Sequence, residues 1–229
     1  MLEKYCCRNI FGIIRTMKSR FISFEGPDGS GKTTVLQEIL PELSRYQEIV
    51  ATREPGGVRV AEEIRNIVQN PENIELDVRS EMLLYAAARR VHFQAKIEPA
   101  LRAGKFVITD RFVDSSVAYQ SYGRGLEAAS VNWLNNFATT GLLPDLTILF
   151  DIEVEVALAR MHKNNESFDR TDNFDMKIHQ RVRTGYLELA AANPRRFVTV
   201  DASQPLIKVK AEVLAAIVAR FPLEFGELR

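Results

Sequence analysis

The sequence predicts an α/β sandwich of three layers, one parallel sheet held between two layers of helices. Two observations lead there. Five short runs rich in β-branched and aromatic residues recur along the chain, and several are apolar nearly throughout, as strands buried on both faces of a parallel sheet must be. Amphipathic segments with helical spacing lie between them, and such alternation of strand with helix builds a parallel sheet.

The first run, "RFISFE" (20–25), leads into "GPDGSGKTT" and then into an amphipathic segment at 31–46. The phosphate-binding pattern G-x-x-x-x-G-K-[ST] is complete here in Gly26, Gly31, Lys32 and Thr33, with a strand entering it and a helix leaving it. Gly26, Gly29 and Gly31 admit backbone conformations that a Cβ would hinder. The loop from Gly26 through Pro27, Asp28, Gly29 and Ser30 to Thr34 can therefore wrap phosphate oxygens, with the positive end of the helix behind it. Lys32 supplies charge to the β- and γ-phosphates and the Thr33 hydroxyl suits Mg²⁺, so ATP and Mg²⁺ are the expected cofactors. Asp28 is anomalous, because a carboxylate in an anion cradle repels what the cradle attracts. It either turns away to accept a hydrogen bond, for instance from a substrate hydroxyl, or is a solvated loop tip.

The second run, "EIVATR" (48–53), ends in "TREPGG" (52–57), ahead of helical patterns at 58–69 and 77–103. Ligands on open α/β sheets gather at the carboxyl edge of the strands, which places Glu54 where a binding group would stand; a simple turn made by the proline and paired glycines is the alternative. Arg65 lies on the first of these helices. In "LLYAAARRVH", Tyr85 and Arg89 are four residues apart and share a helical face, where a ring and a guanidinium can sandwich a base and reach its edge; a core tyrosine beside a solvated arginine is the alternative.

The third run, "FVITD" (106–110), delivers Asp110 and Arg111 to the same edge. An aspartate there can hold Mg²⁺ directly or through water, and the arginine can bridge transferring phosphate oxygens; an interior Asp-Arg pair is the other reading. Ser115, Ser116, Tyr119 and Gln120 follow on one short segment. A helical pattern at 128–139, strand "LTILFDI" (146–152), a helix at 153–162, a helix at 174–192, strand "RFVTV" (196–200) and a helix at 205–220 complete the alternation. The polar connector "HKNNESFDRTDNFD" (162–175) has few apolar anchors and reads as a flap, with a plain surface loop as the alternative.

One domain over 17–229 is expected, with 1–16 an extension outside it, either a poorly ordered or upstream-start segment or a tail for a partner contact. Thirty basic and thirty acidic side chains balance, so no global field attracts nucleic acid or an anionic membrane. Two cysteines, Cys6 and Cys7, offer no disulfide framework, and no clean export or spanning segment precedes the first strand, which together suggest a cytoplasmic protein. His92, His162 and His179 lack metal spacing and are assigned to surfaces or helix packing.

The stretches "FEGPDGSGKTT", "TREPGG", "LLYAAARRVH" and "DRFVDSSVAYQ", with the arginine-bearing connector, resemble the thymidylate kinase family in its bacterial form over about residues 18–220. That resemblance implies a P-loop NTPase sandwich of nucleoside monophosphate kinase type, sheet order 2-3-1-4-5, with a lid at about 162–175. It implies transfer of the γ-phosphoryl group of MgATP to dTMP, in dTTP biosynthesis, by a homodimer. Residue by residue, it places the ATP phosphates on Gly26–Thr33, the deoxyribose 3′-OH near Asp28 and the acceptor's sugar and phosphate near Glu54. Arg65 and Arg111 would hold the dTMP phosphate. It places Tyr85 where a phenylalanine stacks on thymine and Arg89 at the base edge, with Ser116, Tyr119 and Gln120 lining the pocket and Asp110 acting near Mg²⁺. The family supplies its catalytic arginine either from the P-loop or from the lid. Gly29 follows Asp28 here, so the lid's Arg170 is the candidate, with Arg160 assisting or packing near adenine and "VDASQP" (200–205) bordering it. Tyr85, Phe112 and Ser121 depart from the family's usual phenylalanine, tyrosine and glycine. The rivals are a deoxynucleoside kinase, against which Arg65 and Arg111 argue, and an ATP-gated binding module without transfer; a GTPase switch lacks its N-K-x-D motif.

Overall fold

A computed structural model of the chain describes residues 20–163 and 175–228. Five strands, β1 (Phe21–Glu25), β2 (Ile49–Arg53), β3 (Phe106–Asp110), β4 (Leu146–Asp151) and β5 (Phe197–Asp201), form one sheet in the order β2-β3-β1-β4-β5 with every pairing parallel. The expected order is therefore observed. Each strand starts and ends within one residue of the run that predicted it.

Alternation along the strands sorts side chains into two cores. On one face, Ile22, Phe24, Ile108, Ile148 and Phe150 pack under α1 (Lys32–Leu43) and α9 (Leu206–Arg220) through Val35, Ile39, Val209 and Val213. Phe106 closes that core edge-on against Phe221, with ring centroids 5.2 Å apart; Phe225 of the short α10 (Pro222–Phe225) lies beside them. On the other face, Phe21 and Val107 meet Phe93 and Ile97. Leu149 meets Val182 and Tyr186 of α8 (Met176–Ala192).

Two helical details depart from the sequence pattern. The run at 77–103 divides into α3 (Val78–His92), a π-helical turn (Phe93–Ile97) and α4 (Glu98–Arg102). The segment after Arg111 is helical too, as α5 (Val113–Ser116) followed by a π-helical turn (Val117–Gly123). Every residue from Phe112 to Gln120 is buried, polar ones included, so no alternation of apolar and polar faces marks this helix in the sequence. π-Turns of this kind cluster at functional sites. The remaining helices are α2 (Arg59–Gln69), α6 (Ala128–Thr139) and α7 (Val154–Lys163).

Register aligns the strand ends. Phe24 pairs with Asp110, and Arg53 pairs with Asp110 from the other side, so Glu25, Glu54 and Arg111 all leave the sheet at one edge. Residues 1–16 and Arg170 lie outside the described residues.

Candidate active site

The loop after β1 is shaped by close contacts that only glycine tolerates. At Gly26, with φ of 142°, a Cβ would come within 2.5 Å of the Phe150 carbonyl oxygen. At Gly29, with φ of 74°, it would meet the Ala157 carbonyl oxygen of α7 at 2.4 Å and Met161 at 2.9 Å. Helix α1 then begins at Gly31 with no side-chain cap and no acidic residue in its first turn, which leaves its N–H groups and positive end to an anion. Lys32 is buried and curls over the loop, donating to the carbonyls of Gly26 (3.0 Å) and Pro27 (2.7 Å) and to Ser30 Oγ (3.2 Å). Burial, then the neighbouring Arg111, lowers its ammonium to about 8 against the pull of Asp110, Asp28 and Glu25. The Thr33 hydroxyl donates to Asp110 Oδ2 at 2.5 Å, so two oxygens stand together at the loop's mouth.

Asp110 and Arg111 part company. Arg111 has φ of 70°, a left-handed conformation costly for a residue with a side chain, which turns its guanidinium back over the loop. Its Nη1 donates to the Gly26 carbonyl (3.0 Å), Ser115 Oγ (3.1 Å) and Tyr186 OH (3.0 Å). Its Nη2 donates to Asp28 Oδ1 (2.5 Å) and reaches Tyr119 OH (3.2 Å). Tyr119 in turn donates to Asp28 Oδ2 at 2.6 Å. Burial alone would raise Asp28, but Arg111, Lys32 and the Tyr119 hydrogen bond outweigh it and hold the carboxyl well below the usual carboxylate range. The interior Asp110–Arg111 pair allowed by the sequence is thus replaced by Asp110–Thr33 and Arg111–Asp28 contacts.

A second polar cluster is built on α3. Arg89 Nε donates to Glu54 Oε2 (2.7 Å), its Nη1 to Ser116 Oγ (2.9 Å) and Asn135 Oδ1 (2.5 Å), and its Nη2 to the Phe112 carbonyl (3.1 Å). Glu54 Oε1 lies 2.9 Å from His92 Nδ1, and His92 Nε2 lies 2.7 Å from Thr52 Oγ1. Burial raises Glu54, but Arg89 and His92 outweigh it and the carboxyl stays below its ordinary value. Gln120 Nε2 donates to the buried Glu81, Oε1, at 2.8 Å, and Arg65 Nη1 to the Pro55 carbonyl at 2.9 Å. Tyr85 is half-buried.

A single cavity of about 1180 Å³ joins these parts. It is lined by the loop from Asp28 to Thr34, by Glu54, Arg65, Tyr85 and Arg89, and by Asp110, Arg111, Ser115, Ser116, Tyr119 and Gln120. Arg160 lines it also, and ties α7 to the segment after β5 by donating to the carbonyls of Ala202 (2.8 Å) and Ser203 (3.3 Å).

Sequence reasoning missed four residues. His92, assigned to surfaces or helix packing, is instead fully buried in the Glu54–Arg89 cluster; the spacing Tyr85, Arg89, His92 on one helical face was its signal. Asn135 meets Arg89 from α6. Glu25, the one charge in an otherwise apolar and hydroxyl-bearing strand, is fully buried, accepts from the Phe112 N–H (2.7 Å) and Ser115 Oγ (2.6 Å), and is held up at about 7 by burial and then by Asp114. Tyr186 comes from α8, with no local signal.

A model of the thymidylate kinase family matches residues 24–213. Among solved structures, the thymidylate kinase of Ehrlichia chaffeensis is similar, with 35% sequence identity over 86% of this chain and 97% of that one and a TM-score of 0.72. With the phosphate loop, the paired arginine and aspartate, and the parallel sheet in the order 2-3-1-4-5, these matches establish that the chain belongs to the thymidylate kinase family.

Proposed function

We propose a division of labour among the cavity residues for the reaction of this thymidylate kinase, the phosphorylation of dTMP to dTDP at the expense of ATP. The observation that carries it is Arg111, which touches the ATP-type loop at Gly26 and Asp28 and, through the same Nη2 that meets Asp28, Tyr119 of the segment that also lines the Arg89 cluster. Gly26–Thr34 hold the triphosphate, with Lys32 on its β- and γ-phosphates. Arg65 and Arg111 hold the phosphate of dTMP. Tyr85 stacks on thymine, Arg89 meets the base edge, and Ser116, Tyr119 and Gln120 complete the pocket. Glu54 serves by fixing Arg89, and Asp28 meets the sugar hydroxyl once Arg111 engages a phosphate.

Thr33 and Asp110 fit Mg²⁺, which takes one or two protein oxygens and keeps waters and phosphate oxygens for the rest. When bound there, the ion would neutralise charge on the transferring phosphoryl. Arg170 is proposed to add a further charge there, from a lid at about 162–175 that excludes water. Arg160 and 200–205 border adenine. Phosphoryl transfer demands alignment and charge neutralisation more than covalent help, and each group supplies one or the other.

The protein is proposed to act as a cytoplasmic homodimer, one domain over 17–229. Among the described residues no helix is long and apolar enough to cross a membrane. Exposed Trp133 and Phe137 stack on α6 with centroids 5.5 Å apart, an apolar surface suited to a second copy.

Purified protein with MgATP, offered dTMP, dUMP, other monophosphates and thymidine in turn, tests the reading through ADP release. ADP formation that depends on dTMP supports it. Turnover of thymidine but not dTMP would favour a nucleoside kinase, and no acceptor dependence would favour a binding module.

A further inference from the structure

We propose that Glu25 is a positioning residue for Arg111, acting by orienting the hydroxyls of Ser115 and Tyr186 so that both turn lone pairs to the guanidinium. The inference rests on the reading of Arg111 as an arginine that grips the acceptor's phosphate.

Four groups from three parts of the chain close a ring. Glu25 Oε2 lies 2.6 Å from Ser115 Oγ and 3.2 Å from Tyr186 OH. The two hydroxyls are 2.8 Å apart. Arg111 Nη1 lies 3.1 Å from the first and 3.0 Å from the second. A carboxylate only accepts and a guanidinium only donates, whereas each hydroxyl has one proton and two lone pairs. Between an ionised Glu25 and Arg111, the hydroxyl protons must therefore run toward the glutamate or the partner hydroxyl, leaving lone pairs for the arginine.

The other carboxylate oxygen fixes the sense of this arrangement. Glu25 Oε1 accepts the Phe112 N–H at 2.7 Å, on the residue that follows the left-handed Arg111. A carboxamide at position 25 must keep its oxygen there, so its NH₂ falls where Oε2 stood and donates to the hydroxyls. One hydroxyl can still donate to the other, but the second proton then has no acceptor and is driven toward a guanidinium that has no lone pair to receive it. The shape is kept and the polarity reversed. The nearby Asp114 does not share this task, since Arg196 holds both its oxygens, at 2.5 and 2.9 Å. A buried carboxylate is costly for a fold to keep, and packing alone gives no reason for one here.

The test compares affinities for dTMP and for thymidine, which lacks the phosphate, by calorimetry at pH 8, where Glu25 is ionised. The variants are Glu25→Gln, Tyr186→Phe, Arg111→Ala and the Glu25→Gln/Arg111→Ala double. Glu25→Gln is expected to weaken dTMP about tenfold and thymidine less than about twofold, the loss of one oriented charge-assisted hydrogen bond. Tyr186→Phe, which removes one hydroxyl without altering charge, is expected to act in the same selective sense by about threefold. On Arg111→Ala the glutamine change should add nothing, because an effect transmitted through the arginine disappears with it. Equal losses for both ligands, or a loss that persists undiminished without the arginine, would assign Glu25 a merely structural part and overturn the proposal. Should Arg111→Ala keep its full preference for dTMP over thymidine, the phosphate reading of Arg111 falls and this inference with it. If that preference is lost while Glu25→Gln and Tyr186→Phe keep it, the arginine reading stands and only the positioning role fails. Where Glu25→Gln does not fold, Tyr186→Phe decides by the same comparison.

Discussion

Arg111 Nη2 donates to Asp28 Oδ1 at 2.5 Å, pairing the arginine that leaves β3 with the one carboxylate of the phosphate loop. On the proposed assignment of Arg111 to the acceptor's phosphate, that phosphate competes with the carboxylate for the guanidinium and releases Asp28 toward the acceptor. Replacing Arg111 leaves Asp28 with Lys32 as its remaining neighbouring cation, the same charge that the phosphates require. Arg111→Ala is expected to lower kcat for dTMP phosphorylation by at least about 100-fold, a loss of transition-state charge stabilisation. Steady-state kinetics with dTMP as the varied substrate measures it.

Lys32 carries a pH signature. With its ammonium lowered to about 8 by burial and Arg111, binding of triphosphate anions must raise it again. ATP binding therefore takes up a proton above pH 8, and affinity falls with rising pH, by up to about tenfold per unit. ATP's own phosphates titrate lower, at roughly 6. Calorimetric titrations in buffers of different ionisation enthalpy should show the uptake, and Lys32→Met should abolish it.

Glu25 makes stability depend on pH in the opposite sense to most carboxylates. Its value rises from 4.5 to about 7, through burial and then Asp114, while Ser115, Arg111 and the Phe112 N–H pull against the rise. A raised folded value means that the folded state holds the proton more tightly. The stabilisation is complete below 4.5 and is lost as pH climbs to and through about 7, on the order of 3 kcal/mol across the window. Asp28 and Glu54 are lowered, so their contributions are lost only as pH falls into and below the usual carboxylate range. Thermal melts between pH 4.5 and 8 should show Glu25→Gln flattening the decline seen in the unaltered protein.

Arg170 is expected to act on turnover rather than on binding. Arg170→Ala should lower kcat by at least about 100-fold with modest change in dTMP affinity. Near-normal turnover in that variant, measured by coupled ADP release, would remove it from the catalytic set.

The sheet was legible because its evidence is local: each buried strand announces itself within five or six residues, and the glycine-lysine pattern marks the edge where ligand collects. Much of the site was legible for the same reason, since Lys32, Asp110, Arg111 and Arg89 sit in motifs that the chain spells out consecutively. What stayed hidden depends on distant pieces meeting. Tyr186 reaches Glu25 across 161 positions of sequence, and Asn135 reaches Arg89 across 46. The helix from Val113 was concealed for another reason: burying its serines, tyrosine and glutamine against the cavity erases the polar face by which a helix is recognised.

The close approach of α7 to Gly29 restricts what position 29 can carry. An arginine at position 29 would thrust its Cβ to 2.4 Å from the Ala157 carbonyl oxygen and adopt a backbone shape that disfavours it. If Arg170 is the catalytic arginine as proposed, a single replacement at position 29 cannot take over its part. Gly29→Arg introduced beside Arg170→Ala should restore no activity unless α7 is also moved. With α7 resting this close to the loop, position 29 is reserved for glycine whatever the connector carries.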